Sequence, residues 1–283
     1  MSSDIAAART FLFVPGDRPD RFGKAVTAGA DAVVLDLEDA VGPQAKPGAR
    51  EHVACWLAQG HQAVVRINAA GTPWHASDLA MVRARPGAVL ALMVPKAEDP
   101  AELTALSRAL PAGTGVIPLV ESAAGVLRAA AVCAVPGVIR PAFGSVDLAA
   151  QLGVSHDAPD ALSHARSAVV LGAAASGRAA PVDGVTTGIA DDRGLRADLE
   201  RALRLGFTGK LCIHPGQVAV ANEYLSPSAA ETAWAGQVVA AAGDGSVTVI
   251  DGQMIDRPVV LRARAILAGA GRPPVAPQTD RPA

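Results

Sequence analysis

Glu121 and Asp147 are the residues of this chain whose type and setting point most directly to chemistry. They lie in GVIPLVESAAG and GVIRPAFGSVDLA, where two short apolar runs, residues 116–120 and 138–143, each lead to an acid followed by small residues. A helix-like stretch separates the two runs. If they are neighbouring parallel strands, their C-terminal ends open on one face and the two carboxylates converge there. Two hard oxygen ligands suit Mg2+, which keeps its remaining positions for water or substrate. Either acid alone could equally cap the helix that follows it; the pair, taken with the residues below, favours a metal.

An acidic pair beside an arginine suits a substrate that is itself an anionic oxygen ligand, such as a keto or hydroxy acid. Arg66 is that arginine: planar and permanently charged, it can stabilise negative charge developing on oxygen. It could also serve as an ion-pair partner of the nearby acids, and the two roles can coexist. Glu38 and Asp39 would bring too much negative charge as direct ligands. They are expected in an outer ring, accepting hydrogen bonds from metal-bound water or from Arg66. Lys24, Arg18 and Lys96 are candidates for contacts to an anionic substrate or for solvated surface positions. His214, in CIHP, reads as a histidine held by its loop rather than as a base.

Positioning these groups requires a scaffold that brings many strand ends together. Short apolar runs at 11–14, 32–35, 64–67, 89–94, 116–120, 138–143, 182–185 and 210–213 alternate with helical stretches and show no hairpin signals. Eight such runs imply parallel strands joined by right-handed crossovers, and a closed (β/α)8 TIM barrel is the natural solution. Asp36, Glu38, Arg66, Lys96, Glu121, Asp147 and Asp183 then all fall near strand ends on one face. An open doubly wound sheet is the alternative, but GDRPDR after the first strand is not a glycine-rich nucleotide loop. The expected organisation is a catalytic barrel over 1–225, a C-terminal helical extension over 226–270 and a flexible tail over 271–283.

Composition agrees. Half of the 283 residues are apolar but only 3% aromatic, which suits Val- and Leu-rich strands packed under Ala-rich helices. A net charge of −2 offers no cationic field for nucleic acid or an anionic membrane surface. No run approaches the ~18 apolar residues of a membrane span, and the first residues do not form a secretory signal. Three widely spaced cysteines suggest buried thiols in a reducing compartment. A cytoplasmic protein is expected.

The segments FLFVPGDRPDRFGKA, DAVVLDLEDAV, VVRINAAGT, MVPKAE, LVESAAG, FGSVDLA, GFTGKLCIHPGQV and GQMIDRPVV resemble, in that order, the motifs of the citrate lyase beta-subunit-like proteins of the HpcH/HpaI aldolase superfamily. The resemblance spans nearly the whole chain, and the joint occurrence of these segments is highly specific. It implies a (β/α)8 barrel that binds Mg2+ and cleaves a carbon-carbon bond in a β-hydroxyacyl-CoA thioester such as malyl-CoA or citramalyl-CoA, yielding a keto acid and acetyl-CoA. It further implies Glu121 and Asp147 as metal ligands and Arg66 as the residue that binds the keto-acid oxygens. Asp256 becomes the proton carrier, reaching from the C-terminal segment into a neighbouring subunit's site in a homotrimer or a hexamer. One departure stands out: many relatives have an acid where this chain has Val146, which bears on the substrate pocket rather than on the metal. Two other readings remain open, a beta subunit acting on citryl groups carried by an acyl carrier protein, and a non-catalytic barrel scaffold.

Overall fold

The computed structural model describes residues 4–158, 160–242, 248–250 and 253–270. Eight parallel strands close into a barrel in sequence order: β1 (Thr10–Pro15), β2 (Ala32–Asp36), β3 (Ala63–Arg66), β4 (Val89–Val94), β5 (Gly115–Val120), β6 (Ala142–Phe143), β7 (Val182–Asp183) and β8 (Gly209–Cys212). The closing pair sets Thr10 of β1 opposite Lys210 of β8.

The two-residue period of a strand sorts each sequence into an inside and an outside. Phe11, Val34, Val64, Met93, Ile117 and Leu119 fill the barrel. Their neighbours Leu12, Leu35, Val65, Leu92 and Val116 pack under the surrounding helices. Burial on both faces is why the strands read as continuous apolar runs. The same alternation, continued one step beyond the filled layers, carries Asp36, Arg66 and Glu121 to the C-terminal mouth.

The run 138–143 is not one strand. Val138 makes an isolated bridge to Val116, and regular pairing resumes only at Ala142 and Phe143, opposite Leu119 and Val120. Pro141 has no N–H to give to a ladder. Arg140, fully buried, turns its guanidinium onto the carbonyls of Ala8, Ala180 and Pro181 and the hydroxyl of Thr208. A side chain thus does there what a sheet ladder does elsewhere. The seventh strand is also shorter than the expected 182–185.

Two helices escape the sequence pattern: His75–Arg83, and Ser145–Leu152, whose first turn carries Asp147. After the barrel comes the helix Pro215–Leu225, then Ala229–Ala241, opened by a capping box between Ser228 and Glu231. An antiparallel pair follows, β9 (Thr248–Ile250), where residues 247–250 read as a short strand in the sequence, with β10 (Gln253–Ile255), which the sequence reading lacks, and then the helix Arg257–Ala270. Ala235, Val238, Ile255 and Ala263 form a small core of their own between these last helices. The tail expected to be flexible, 271–283, lies outside the described residues. Among the described residues, no helix is long and apolar enough to cross a membrane.

Candidate active site at the barrel mouth

Asp36 and Arg66 are register partners at the ends of β2 and β3. Arg66 Nε and Nη2 reach Asp36 Oδ1 and Oδ2 at 2.7 and 2.6 Å, a two-pronged pair in which the carboxylate is wholly buried. Asp36 also accepts the backbone N–H groups of Glu38 and Ala40, which locks the loop after β2. Burial works against the charge on Arg66, but Asp36, with Glu38 and Asp39 beyond it, outweighs burial and holds the guanidinium protonated.

Glu38 and Asp39 do gather around Arg66, as an outer ring requires, at 3.1 and 3.8 Å from Nη1. The Glu38 contact is Coulombic only, since Glu38 Oε2 has no aligned hydrogen-bond partner. Burial, opposed by Arg66 but reinforced by Asp39, Glu121 and Asp36, pushes the Glu38 carboxyl up to about 8.

Glu121 follows β5 and is 4% exposed. Its Oε1 accepts the backbone N–H of Lys96 at 2.8 Å. Lys96 takes a positive φ of 49°, unique among the described non-glycine residues, and this turn aims its N–H at the carboxylate. Its ammonium stands 3.2 Å from Asp147 Oδ1 and 3.8 Å from Glu121 Oε1. One cation therefore bridges the two acids singled out in the sequence. Burial, then the charge of Asp147, raises the Glu121 carboxyl to about 7 against the pull of Lys96 and Arg66. Gly144 makes room for this carboxylate, because a Cβ there would come within 2.6 Å of Glu121 Oε2.

The donor set fits a small divalent cation. Two hard carboxylates converge on a position that already favours positive charge, and Mg2+ needs no more protein ligands than that.

Arg66, Asp36, Glu121 and Asp147 share a cavity of about 190 Å3 whose floor is Leu119 and Leu211 of the barrel interior. A larger cavity, about 420 Å3, is lined by Lys96, whose ammonium reaches the two acids of the smaller one, and by Glu98, Asp99 and Glu102. The smaller one is the candidate site, since it holds the inward-pointing groups of the strand ends.

Not every expected residue reaches the mouth. Asp183 faces outward, wholly buried, paired with Arg166 at 2.8 Å and Lys210 at 3.5 Å behind the barrel wall. Burial disfavours its charge, yet Lys210 and Arg166 hold its carboxyl below the usual range. Arg18 pairs with Asp20 at the surface. His214 caps the helix Pro215–Leu225, its Nδ1 accepting the N–H of Gly216, so its loop role stands. Asp256 accepts the N–H of Val259 at 3.3 Å, capping the last helix of its own chain, and does not line its own chain's mouth. The sequence reading left Asp36 and Lys96 out of the core site. The signal for Asp36 was its spacing of two from inward-facing Val34; nothing in the sequence foretold the left-handed turn at Lys96.

Replacing Arg66 by lysine keeps the charge but not the planar fork. We expect kcat/KM to fall about 100-fold or more while the thermal midpoint drops by only a few degrees. Wild-type kinetics in a folded Arg66→Lys protein would reduce Arg66 to a structural partner of Asp36.

Residues 9–215 match the family model described as HpcH/HpaI aldolase/citrate lyase. The chain is 39% identical to a citrate lyase subunit beta-like protein of Mycobacterium tuberculosis, over 94% of this chain and 97% of that protein. It is 36% identical to a (3S)-malyl-CoA thioesterase of Cereibacter sphaeroides, over 93% and 94%. Among solved structures, CitE from Mycobacterium tuberculosis in complex with magnesium, acetoacetate and coenzyme A superposes with a TM-score of 0.80 at 38% identity, covering 95% of this chain and 100% of the other.

Proposed function

The chain belongs to the HpcH/HpaI aldolase/citrate lyase family, and from that premise we propose that it is a Mg2+-dependent carbon-carbon lyase acting on a β-hydroxyacyl-CoA. The products are a 2-oxo acid and acetyl-CoA or a close analogue. The observation that carries this reading is the convergence, on one cation, of Glu121 and Asp147 beside the buried Asp36–Arg66 pair. The magnesium, acetoacetate and coenzyme A held by the mycobacterial relative support the same ligand class.

Glu121 and Asp147 would hold the metal, with Lys96 moving off to one side. When bound, Mg2+ supplies Lewis-acid polarisation of the substrate oxygens. Arg66, fixed by Asp36, donates to the oxygen that becomes negative as the hydroxyl of the substrate loses its proton to water or to a carboxylate at the mouth. The carbon-carbon bond then breaks, its electron pair passing to the carbon next to the thioester. The hydroxyl-bearing carbon becomes the carbonyl of the oxo acid. The resulting enolate takes a proton from Asp256 of a second copy of the chain; in the reverse direction Asp256 removes a proton from the thioester methyl. No lysine Schiff base is required.

The test is to incubate the protein with Mg2+ and malyl-, citramalyl- and 3-hydroxy-3-methylglutaryl-CoA and to analyse products. We expect an oxo or keto acid with acetyl-CoA from at least one. Free coenzyme A with the intact hydroxy acid would instead make the protein a thioesterase, the activity for which the Cereibacter relative is named. Inertness toward all three in well-folded protein would overturn the lyase reading.

A further inference from the structure

The two carboxylates proposed for the metal are held in different ways. Glu121 is gripped by the backbone N–H of Lys96, whereas among the described residues the Lys96 ammonium is the one hydrogen-bond partner of the Asp147 carboxylate, which is 41% exposed. The place of Asp147 is therefore set by the backbone it stands on, the first turn of the helix Ser145–Leu152, and that turn has no side-chain cap. Leu148 and Ala149 seat the helix in the core. Its entry, Phe143 to Ser145, packs against a buried charged pair that takes no part in the chemistry at the mouth. Arg166, on the helix Ser163–Ala175, lies with its guanidinium 4.9 Å from the centre of the Phe143 ring while its Nε donates to Asp183 Oδ1 at 2.8 Å. Lys210 Nζ stands 3.5 Å from the other oxygen of Asp183. Next to Asp183, Gly184 lies so close to this entry that a Cβ there would collide with Ser145 Oγ and stand 3.0 Å from the Phe143 carbonyl oxygen.

We infer that Arg166 and Asp183 are positioning residues for Asp147, acting from behind the barrel wall through Phe143, Gly184 and Ser145. The inference rests on the metal assignment of the proposed function. Arg166 lays a flat cationic face on Phe143 and is itself fixed by Asp183, so the ring and the backbone leaving it have one seat. Gly184 brings the chain after β7 against the first residue of the helix and leaves it no slack. Two residues on, the Asp147 carboxylate inherits that position. A bound Mg2+ is sensitive to it, because this ion takes its ligands at about 2.0–2.1 Å in a near-ideal octahedron. As mere filler the pair is costly: both side chains are out of water, where a well-packed apolar pair would serve stability as well or better. Direction and planarity are what an apolar pair could not supply.

The test is Mg2+ binding by titration calorimetry with no substrate present, well below the melting temperature of every variant. Arg166→Lys keeps the charge that Asp183 needs and loses the flat face over Phe143. Gly184→Ala leaves every charge in place and drives a methyl against Ser145; it carries the test alone if Arg166→Lys does not fold. We expect each to weaken Mg2+ binding about fivefold, less than the roughly ten- to hundredfold typical of a group bonded directly to a metal ligand. Val53→Ala, in the helix Lys46–Ala58 across the barrel, opens a buried cavity far from Asp147. It should lower the melting temperature and leave Mg2+ affinity unchanged, which separates positioning from stability. Action through Asp147 also means that the losses do not add: in an Asp147→Asn background neither substitution should cost further affinity. Wild-type affinity in the folded variants, equal weakening by Val53→Ala, or full additivity with Asp147→Asn would overturn the positioning role. A wild-type protein that binds no Mg2+, or binds it equally well after Asp147→Asn, would instead strike at the metal assignment itself.

Discussion

Glu121→Gln and Asp147→Asn proteins are expected to lose turnover by about 10³-fold, with Mg2+ binding weakened at least tenfold in titration calorimetry. Each amide keeps the shape of the acid and removes the charge on which the cation depends. Loss should exceed that of any substitution of an uncharged residue at the mouth, because on the proposed reading these two carboxylates supply the charge that holds the metal. The wild-type protein should also show a pH signature. A carboxyl must shed its proton before it can ligate, and Glu121 sits at about 7, so the proton competes with Mg2+ below neutrality. Affinity should therefore rise as pH increases through 7, with proton release detectable in buffers of different ionisation enthalpy, and Glu121→Gln should flatten this dependence. Either variant turning over at the wild-type rate in limiting Mg2+ would remove the metal from these residues.

The second large effect is expected at Asp256. Within its own chain this residue caps the helix Arg257–Ala270 and stays away from the mouth. A cap and a proton carrier can be separated chemically. Asparagine caps about as well as aspartate, whereas loss of a cap altogether costs on the order of 1 kcal/mol; asparagine cannot carry the proton. Asp256→Asn should keep its melting temperature and lose about 10²- to 10⁴-fold in kcat. Mixing it with Glu121→Gln chains under conditions of subunit exchange should then restore activity, because some sites in the mixed oligomers carry neither lesion. Demonstrated exchange without recovery would mean that the site is not shared between copies and that Asp256 is a cap alone.

The barrel was legible because its code is simple. Buried parallel strands produce apolar runs, and a period of two continued past Val34, Val64 and Leu119 puts Asp36, Arg66 and Glu121 into one ring. Asp147 was found for a partly wrong reason: it belongs to the first turn of a helix, not to a strand end, and the strand before it is two residues long. Pro141 was the local sign of the break, but residues 138–143 are otherwise apolar enough for a strand, and only tertiary contacts show what Arg140 does there. Asp183 misled in the opposite sense. Being next to inward-facing Val182, it had to point outward, and the arginine that neutralises it comes from the helix Ser163–Ala175, far enough in sequence to leave no local sign. The bridging position of Lys96 depends on a backbone conformation that no side-chain pattern announces.

Arg140 also bears on how the two acids at the mouth are held. Around most of the barrel, continuous ladders tie neighbouring strands, but β6 meets β7 through a single register pair, Ala142 with Val182. A guanidinium buried beneath them adds to the closure, joining carbonyls of two separate segments and the Thr208 hydroxyl of a third. Val146, Asp147 and Val185 stand on this thinly laced arc, while Asp36 and Arg66 stand on the fully laced one. Of the two carboxylates proposed to hold the metal, Glu121 thus follows a strand with a regular ladder to β4, while Asp147 follows the short strand beside which this guanidinium is buried. The spacing of the two carboxylates therefore depends on Arg140 as well as on sheet hydrogen bonds.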